Sequence, residues 1–222
     1  MILSNEQIIA SNKNGTVKIE DFSLKQVRSA SYYLRVGPQA LTSTGKSIIQ
    51  MKKKGYAVLE PGETGMFMSL EILNFDNEHV GRFGLNSKYS RKGIFATVGA
   101  QIDAGFSGRL FIGLLNMSPE KISIPFDDDF LKMEIHKLSE PTSKPYSGSF
   151  QNKTDFSNDD IDNMMNKSTF SFTKIEREIS ALAQNVGKLA EKVNKMATFQ
   201  QVILWIIPIS FALIALFIAI KG

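Results

Sequence analysis

The chain has 222 residues, 43% of them hydrophobic and 22% charged, which is enough apolar content for one sizeable core with appendages and excludes wholesale disorder. Its formal charge of +4 comes from 26 basic and 22 acidic residues spread along the whole length, so no nucleic acid partner is expected. The absence of cysteine excludes disulfides, thiolate catalysis and cysteine-based zinc sites. His79 and His136 have no second ligand at metal-binding spacing, so both read as strand or turn residues and no protein-ligated metal is expected.

The opening residues, MILSNEQIIASNKNG, lack a basic stretch followed by an apolar one, so no signal peptide is expected there. Ser4 with Gln7 three residues on is a capping-box pattern, and 4–10 is the only stretch of the head that looks helical. From about 15 to 138, short apolar or alternating runs are separated by Gly, Pro, Asn and Asp, the pattern of an all-β domain. The strongest strands are 66–73, 109–115, 121–124 and 131–136. Turn signals at 61–63, 74–77, 118–120 and 127–129 argue a sandwich or barrel. Asp127, Asp128 and Asp129 read as a solvated turn, because consecutive carboxylates in one tight turn seldom converge on one cation.

Beyond 139 the composition turns polar, and 151–169 reads as a linker with few large aliphatics except Ile161, Met164 and Met165. Apolar residues then return at alternating steps of three and four, predicting a coiled coil over 170–198. Its a positions are Phe172, Ile179, Val186 and Val193, and its d positions Ile175, Leu182, Leu189 and Met196. An amphipathic helix packed back on the head is the alternative. Residues 202–220, VILWIIPISFALIALFIAI, carry no charge and as a helix rise about 29 Å, roughly a hydrocarbon core. They predict a single-pass C-terminal transmembrane helix in a lipid bilayer, with Pro208 inside the span and Trp205 near its start; a buried core helix is the alternative. Lys188, Lys192 and Lys195 precede the span and only Lys221 follows it, which places the head in the cytoplasm.

The stretch 81–116, GRFGLNSKYSRKGIFATVGAQIDAGFSGRLFIGLLN, joins a polar turn suited to phosphate to an Ile-Asp-x-Gly-Phe-x-Gly turn. It resembles the nucleotide site of dCTP deaminases and dUTPases. The resemblance runs in order over about 1–152. The start MILS with Ile8, the run Ser31-Tyr32-Tyr33-Leu34-Arg35-Val36-Gly37, the Pro61-Gly62-Glu63 turn and the exit LSEPTSKPY at 138–146 all match the deaminase pattern. It implies a dUTPase-like distorted β-barrel or jelly-roll head over 1–150, a homotrimer, and pyrimidine deoxynucleoside triphosphates, dCTP or dUTP, as ligands. Mg2+ would arrive with the triphosphate. The β-branched a positions of the coil favour two strands, and the large shared interface implied for the head outweighs that preference.

Carried over residue by residue, the resemblance puts Ser87, Lys88 and Arg91 on phosphate, with Arg82 as further charge; a hydroxyl and cations hold anionic oxygens by charge-assisted hydrogen bonds. Ala100, Gln101, Asp103 and Phe106 fall on sugar and base, Asp103 also being the residue that would help activate water. Tyr146 and Gln151 fall on the tail over the nucleotide. Read without the resemblance, the stretch carrying Ser87, Lys88 and Arg91 is a solvated basic loop and Asp103 with its glycines a tight β turn. Three departures touch catalysis: Gly113 stands where deaminases carry their glutamate, Tyr33 where they carry an aspartate, and Met133 where they carry a glutamine. Deamination needs a group that activates water and shuttles protons, and Gly113 supplies none. The readings left open are an enzyme on dCTP or dUTP held at a membrane, a catalytically inactive nucleotide sensor, and a trimeric scaffold that couples the head to a membrane event.

Overall fold

Ser4 starts the first helix. In the computed structural model, which describes the chain apart from residues 46, 98, 167–171 and 222, its hydroxyl accepts from Gln7 N at 3.4 Å and Gln7 Oε1 accepts from Ser4 N at 2.9 Å. The helix covers Asn5–Asn14, four residues beyond the sequence expectation, and stops at Gly15, whose φ of 85° is left-handed backbone open to glycine. Ser4→Ala removes one cap acceptor and is expected to lower the head's stability by about 1 kcal/mol in a urea titration; Ser4→Asp should retain it.

Most of the rest of the head is antiparallel β, although short helices at Met51–Lys54 and Ser87–Ser90 and a later one at Asn158–Asn166 interrupt it, so 4–10 is not its only helical stretch. The strands of its largest sheet run in the order Gln101–Ile102, His79–Leu85, Asp129–Lys137, Ser31–Thr42, Thr64–Ser69, Phe111–Asn116, Ile94–Ala96. The first and last of these are joined in sequence by only 97–100, so the sheet curls until its two ends meet. Alternating side chains such as Leu34, Phe67, Ile112 and Met133 fill the inside and are fully buried. A three-stranded sheet of Val17–Ile19, Leu73–Phe75 and Ser107–Gly108, and a pair of Tyr56–Leu59 with Ile122–Pro125, complete the head. His79 and His136 both lie on strands.

The expected strand 66–73 is two strands. Thr64–Ser69 stays in the large sheet and Leu73–Phe75 is the centre of the small one. Between them Glu71, fully buried, accepts from Arg35 N at 2.9 Å and pairs with Arg35 Nε at 2.8 Å. A hydrophobic run hid a bend that a distant arginine satisfies. The turn expected at 74–77 accordingly begins later, at Asp76, whose Oδ1 accepts from the backbone of Glu78 and His79. The aspartate turn is a charged junction more than a solvated loop: Asp127 pairs with Arg35 at 2.9 Å, Asp128 with Lys88 at 2.6 Å and with the Tyr89 hydroxyl, and Asp129 opens a strand.

The expected linker is folded as far as residue 166. Helix Asn158–Asn166 and the residues before it bury Phe156 and Met164 against Leu41 and Met68, with Ile161 alongside, because the few apolar residues fall on one side of the helix. Lys153 pairs with Asp160 at 2.6 Å. Burial pushes the Asp160 carboxyl up, but hydrogen bonds from Lys153 and Ser157 outweigh it and hold it below its ordinary value. The pair therefore stabilises the fold above the ordinary carboxylate range and is lost only as pH falls through that lowered value. The last linker residues, 167–169, and the first coil residues, 170 and 171, lie outside the described residues, as do the side chains of Phe172 and Lys221.

The chain divides into two units, Met1–Thr173 and Lys174–Gly222. The second consists, from Lys174 on, of a single continuous helix, Phe172–Lys221, that runs through Pro208. Every seam residue from Ile175 to Met196 is exposed on it. By length and composition this helix can cross a membrane, and the apolar stretch is unburied.

Candidate functional site

The Asp103 turn is fixed from below and above. Gln101 and Ile102 pair with Arg82 and Gly81, Phe75 N donates to Phe106 O at 2.8 Å, and Gly105 N donates to Asp76 O at 2.8 Å. Gly105 has φ +82, and a Cβ there would lie 2.5 Å from Pro145 Cβ, so glycine lets the later tail close on the turn. Tyr146 N donates to Ala104 O at 2.8 Å, and its ring meets Phe106 edge-on at 5.5 Å. Gln151 staples the two together: its Nε2 donates to Gly105 O at 2.9 Å and its Oε1 accepts from Ser107 N at 3.0 Å. Asp103 remains exposed, with Gln101 Nε2 donating to it at 2.7 Å.

Where the curled sheet's ends meet, a cavity of about 180 Å³ opens beside this turn. Gln101, Asp103, Phe106 and Tyr146 line it with Phe83, Arg109, Phe111 and Phe150. It is smaller than the roughly 300 Å³ at which ligand pockets usually begin. A second hollow of about 250 Å³ shares Gln101, Asp103 and Tyr146 and adds Lys144. Arg109 Nη1 donates to Ser69 O at 2.9 Å and to Leu70 O, which fixes the guanidinium plane. Burial lowers its pKa, and among the described residues no carboxylate pairs with it. The site thus offers a carboxylate, a guanidinium and several ring faces to one flat ligand.

The structure does not bring every expected residue here. Ser87 and Lys88 lie on the short helix Ser87–Ser90, Lys88 paired to Asp128, and exposed Arg91 lines a separate groove with Lys92, Ser118 and Lys121. In one chain these three do not border the cavity. Ala100 lines another hollow with Arg82 and Lys132, and its carbonyl accepts from Phe83 N at 2.9 Å. Gln151 is turned into the turn's backbone. Sequence reasoning missed Arg109 and Lys144; the signals available were a cation directly after the Asp103 turn and another just before Pro145-Tyr146.

Gly113 sits opposite Met66 on Phe111–Asn116, and Thr97 N donates to its carbonyl at 2.8 Å. A Cβ at 113 would run into Thr97 Oγ1, far inside contact distance. Met133 is wholly in the core, and Tyr33 is covered by Arg28, whose guanidinium carbon lies 4.9 Å from the ring centre. Among the described residues no three His, Cys, Asp or Glu side chains converge as a metal site.

A curled antiparallel sheet whose ends close on an Ile-Asp-x-Gly turn defines a class of β proteins, and comparison with known proteins identifies it. A model of the family described as dCTP deaminase-like matches residues 2–137, so the chain belongs to that family. The dCTP deaminase of Pyrococcus horikoshii is 33% identical over 138 residues, covering 62% of this chain and 86% of that protein. The Aquifex aeolicus "dCTP deaminase, dUMP-forming" is 26% identical over 161 residues, covering 68% and 89%. Among solved structures, the 2'-deoxycytidine 5'-triphosphate deaminase of Agrobacterium tumefaciens superposes with a TM-score of 0.53 at 20% identity over 62% of this chain. This chain spans 49% of that structure, and the likeness shows the fold alone.

Proposed function

We propose that this is a membrane-anchored dCTP deaminase-like protein whose head binds pyrimidine deoxynucleoside triphosphates without deaminating them. The observation that carries the reading is the pairing of a retained Asp103 cavity with a position 113 that has no carboxylate and whose Cβ would meet Thr97 Oγ1. Asp103 and Phe106 take the sugar and ring, and Asp103 is the one side chain there suited to activate water in hydrolysis. Lys144 reaches the phosphates from the same chain. Ser87, Lys88 and Arg91 reach them from a neighbouring copy, as in a homotrimer, and Mg2+ travels with the triphosphate. In this reading the coil is the one expected over 170–198 and the anchor is 202–220, the head lying in the cytoplasm. With its chemistry reduced, the head acts as a sensor of nucleotide for a membrane event; the tail's hydrogen bonds to the Asp103 turn, beside the cavity, favour this over a scaffold.

Calorimetry on the full chain in detergent micelles, with dCTP, dUTP, dTTP and CTP each with Mg2+, tests the reading. Binding of the deoxy pyrimidines with no dUTP formed from dCTP is the expected result, and Asp103→Asn should weaken it at least tenfold. Absence of binding across the set would end the nucleotide reading.

A further inference from the structure

The wall of the cavity and the cover of the neighbouring sheet face are built from the same rings. Phe111 and Phe150 line the cavity, and Phe111 also meets Phe156 edge-on at 5.2 Å. Lys153 Nζ lies 5.1 Å from the Phe111 ring centre and 5.0 Å from that of Phe150, so both rings hold its charge on their faces. The same ammonium pairs with Asp160 at 2.6 Å. Asp160 in turn accepts from Ser157 N at 2.7 Å and Ser157 Oγ at 2.8 Å, closing the start of helix Asn158–Asn166.

That helix lies on a particular face. Leu41, Met66 and Gly113 stand opposite one another on three adjacent strands, and Leu41 and Met66 belong to the cluster that Phe156 and Met164 cover. The sheet face that carries Gly113 is therefore capped by the chain's own later segment. Gln39 secures the approach, donating to Asp155 Oδ1 at 3.1 Å and accepting from Phe156 N at 3.1 Å. The long helix begins at Phe172, six residues after Asn166.

From this geometry we infer that Lys153, held between Phe111, Phe150 and Asp160, is the junction that couples occupancy of the cavity to helix Asn158–Asn166. The inference rests on the nucleotide reading of the cavity. A ring in a cavity this small touches Phe111 or Phe150, and restraining those rings restrains the ammonium that fastens the helix. Coupling of this kind is reciprocal: freeing the helix changes ligand affinity by the same factor that ligand changes helix release, typically 5-fold to 150-fold. Lys153 is a positioning residue, since it acts through the rings.

Hydrogen exchange read by mass spectrometry on the full chain in micelles, with and without dUTP and Mg2+, is the test. The expected result is slower exchange over 156–166 with dUTP, lost in Lys153→Met and in Asp160→Asn while dUTP still binds. Met164→Asp, a change remote from the cavity that loosens the helix from its other end, should shift the dUTP Kd at least 5-fold. Near-UV circular dichroism identifies any variant that has failed to fold, in which case the wild-type exchange and the remaining variants decide. If dUTP binds yet 156–166 exchange unchanged, or Lys153→Met responds as wild type does, the coupling is wrong and the nucleotide reading survives. If dUTP does not bind, both fall.

Discussion

Exchanging two residues together, Thr97→Ala with Gly113→Glu, should raise dCTP deamination by about 10²-fold to 10⁴-fold over the wild-type chain, the usual contribution of a positioned general acid/base. Gly113→Glu alone should give much less. Its Cβ runs into Thr97 Oγ1, and threonine carries two heavy atoms on Cβ, so two of its three staggered rotamers leave an obstruction. Forcing the pair costs about 1–3 kcal/mol of overpacking and displaces the carboxylate. Thr97→Ala clears the space while keeping the backbone hydrogen bond from Thr97 N to Gly113 O. Chromatographic assay of dUTP formed from dCTP by wild type, each single variant and the double variant decides the matter. Equal turnover by wild type and double variant would mean that another group performs the proton transfers. A folded, nucleotide-binding double variant with no turnover would place the base away from position 113.

The local features of this fold were legible and the distant ones were not. Ser4 and Gln7 announce the first helix because a cap is a contact between residues three apart. The strands around 122–125 and 129–137 show in the alternation of buried and open positions, a property of each strand alone. Glu71 sits inside an apolar run, and only Arg35, 36 residues earlier, makes its burial tolerable. The same limit applies at the site. Asp103, Phe106 and Tyr146 meet as the resemblance implies, whereas the separation of Ser87, Lys88 and Arg91 from them depends on where the sheet curls. Residues 151–166 read as linker by composition, yet Phe156, Ile161 and Met164 suffice to dock them because Leu41 and Met68 leave an apolar face waiting.

Glu71→Ala is expected to destabilise the head by about 3–5 kcal/mol, the usual result of leaving a buried charge without its partner. Arg35 is the group stranded: it bonds Glu71 through Nε and its backbone N, and of its other side-chain partners the Asp21 carbonyl is neutral and Asp127 is half exposed. Asp127→Asn should cost at most about 1 kcal/mol, since exposed pairs contribute little. Replacing both partners with apolar residues, Arg35→Met with Glu71→Leu, should be far milder than Glu71→Ala, because no unpaired charge is left behind. Urea titration of the three variants separates these outcomes, and an Arg35 and Glu71 double change as damaging as Glu71→Ala would show that shape, not charge, holds the bend. The effect reaches the cavity as well. Ser69 Oγ donates to Glu71 O at 2.7 Å and accepts from Leu110 N at 3.0 Å, and the carbonyls of Ser69 and Leu70 are those that fix Arg109. A chain that has lost Glu71 should therefore lose ligand affinity even at temperatures where it remains folded, because the bend that carries the buried ion pair also aims the guanidinium lining the site.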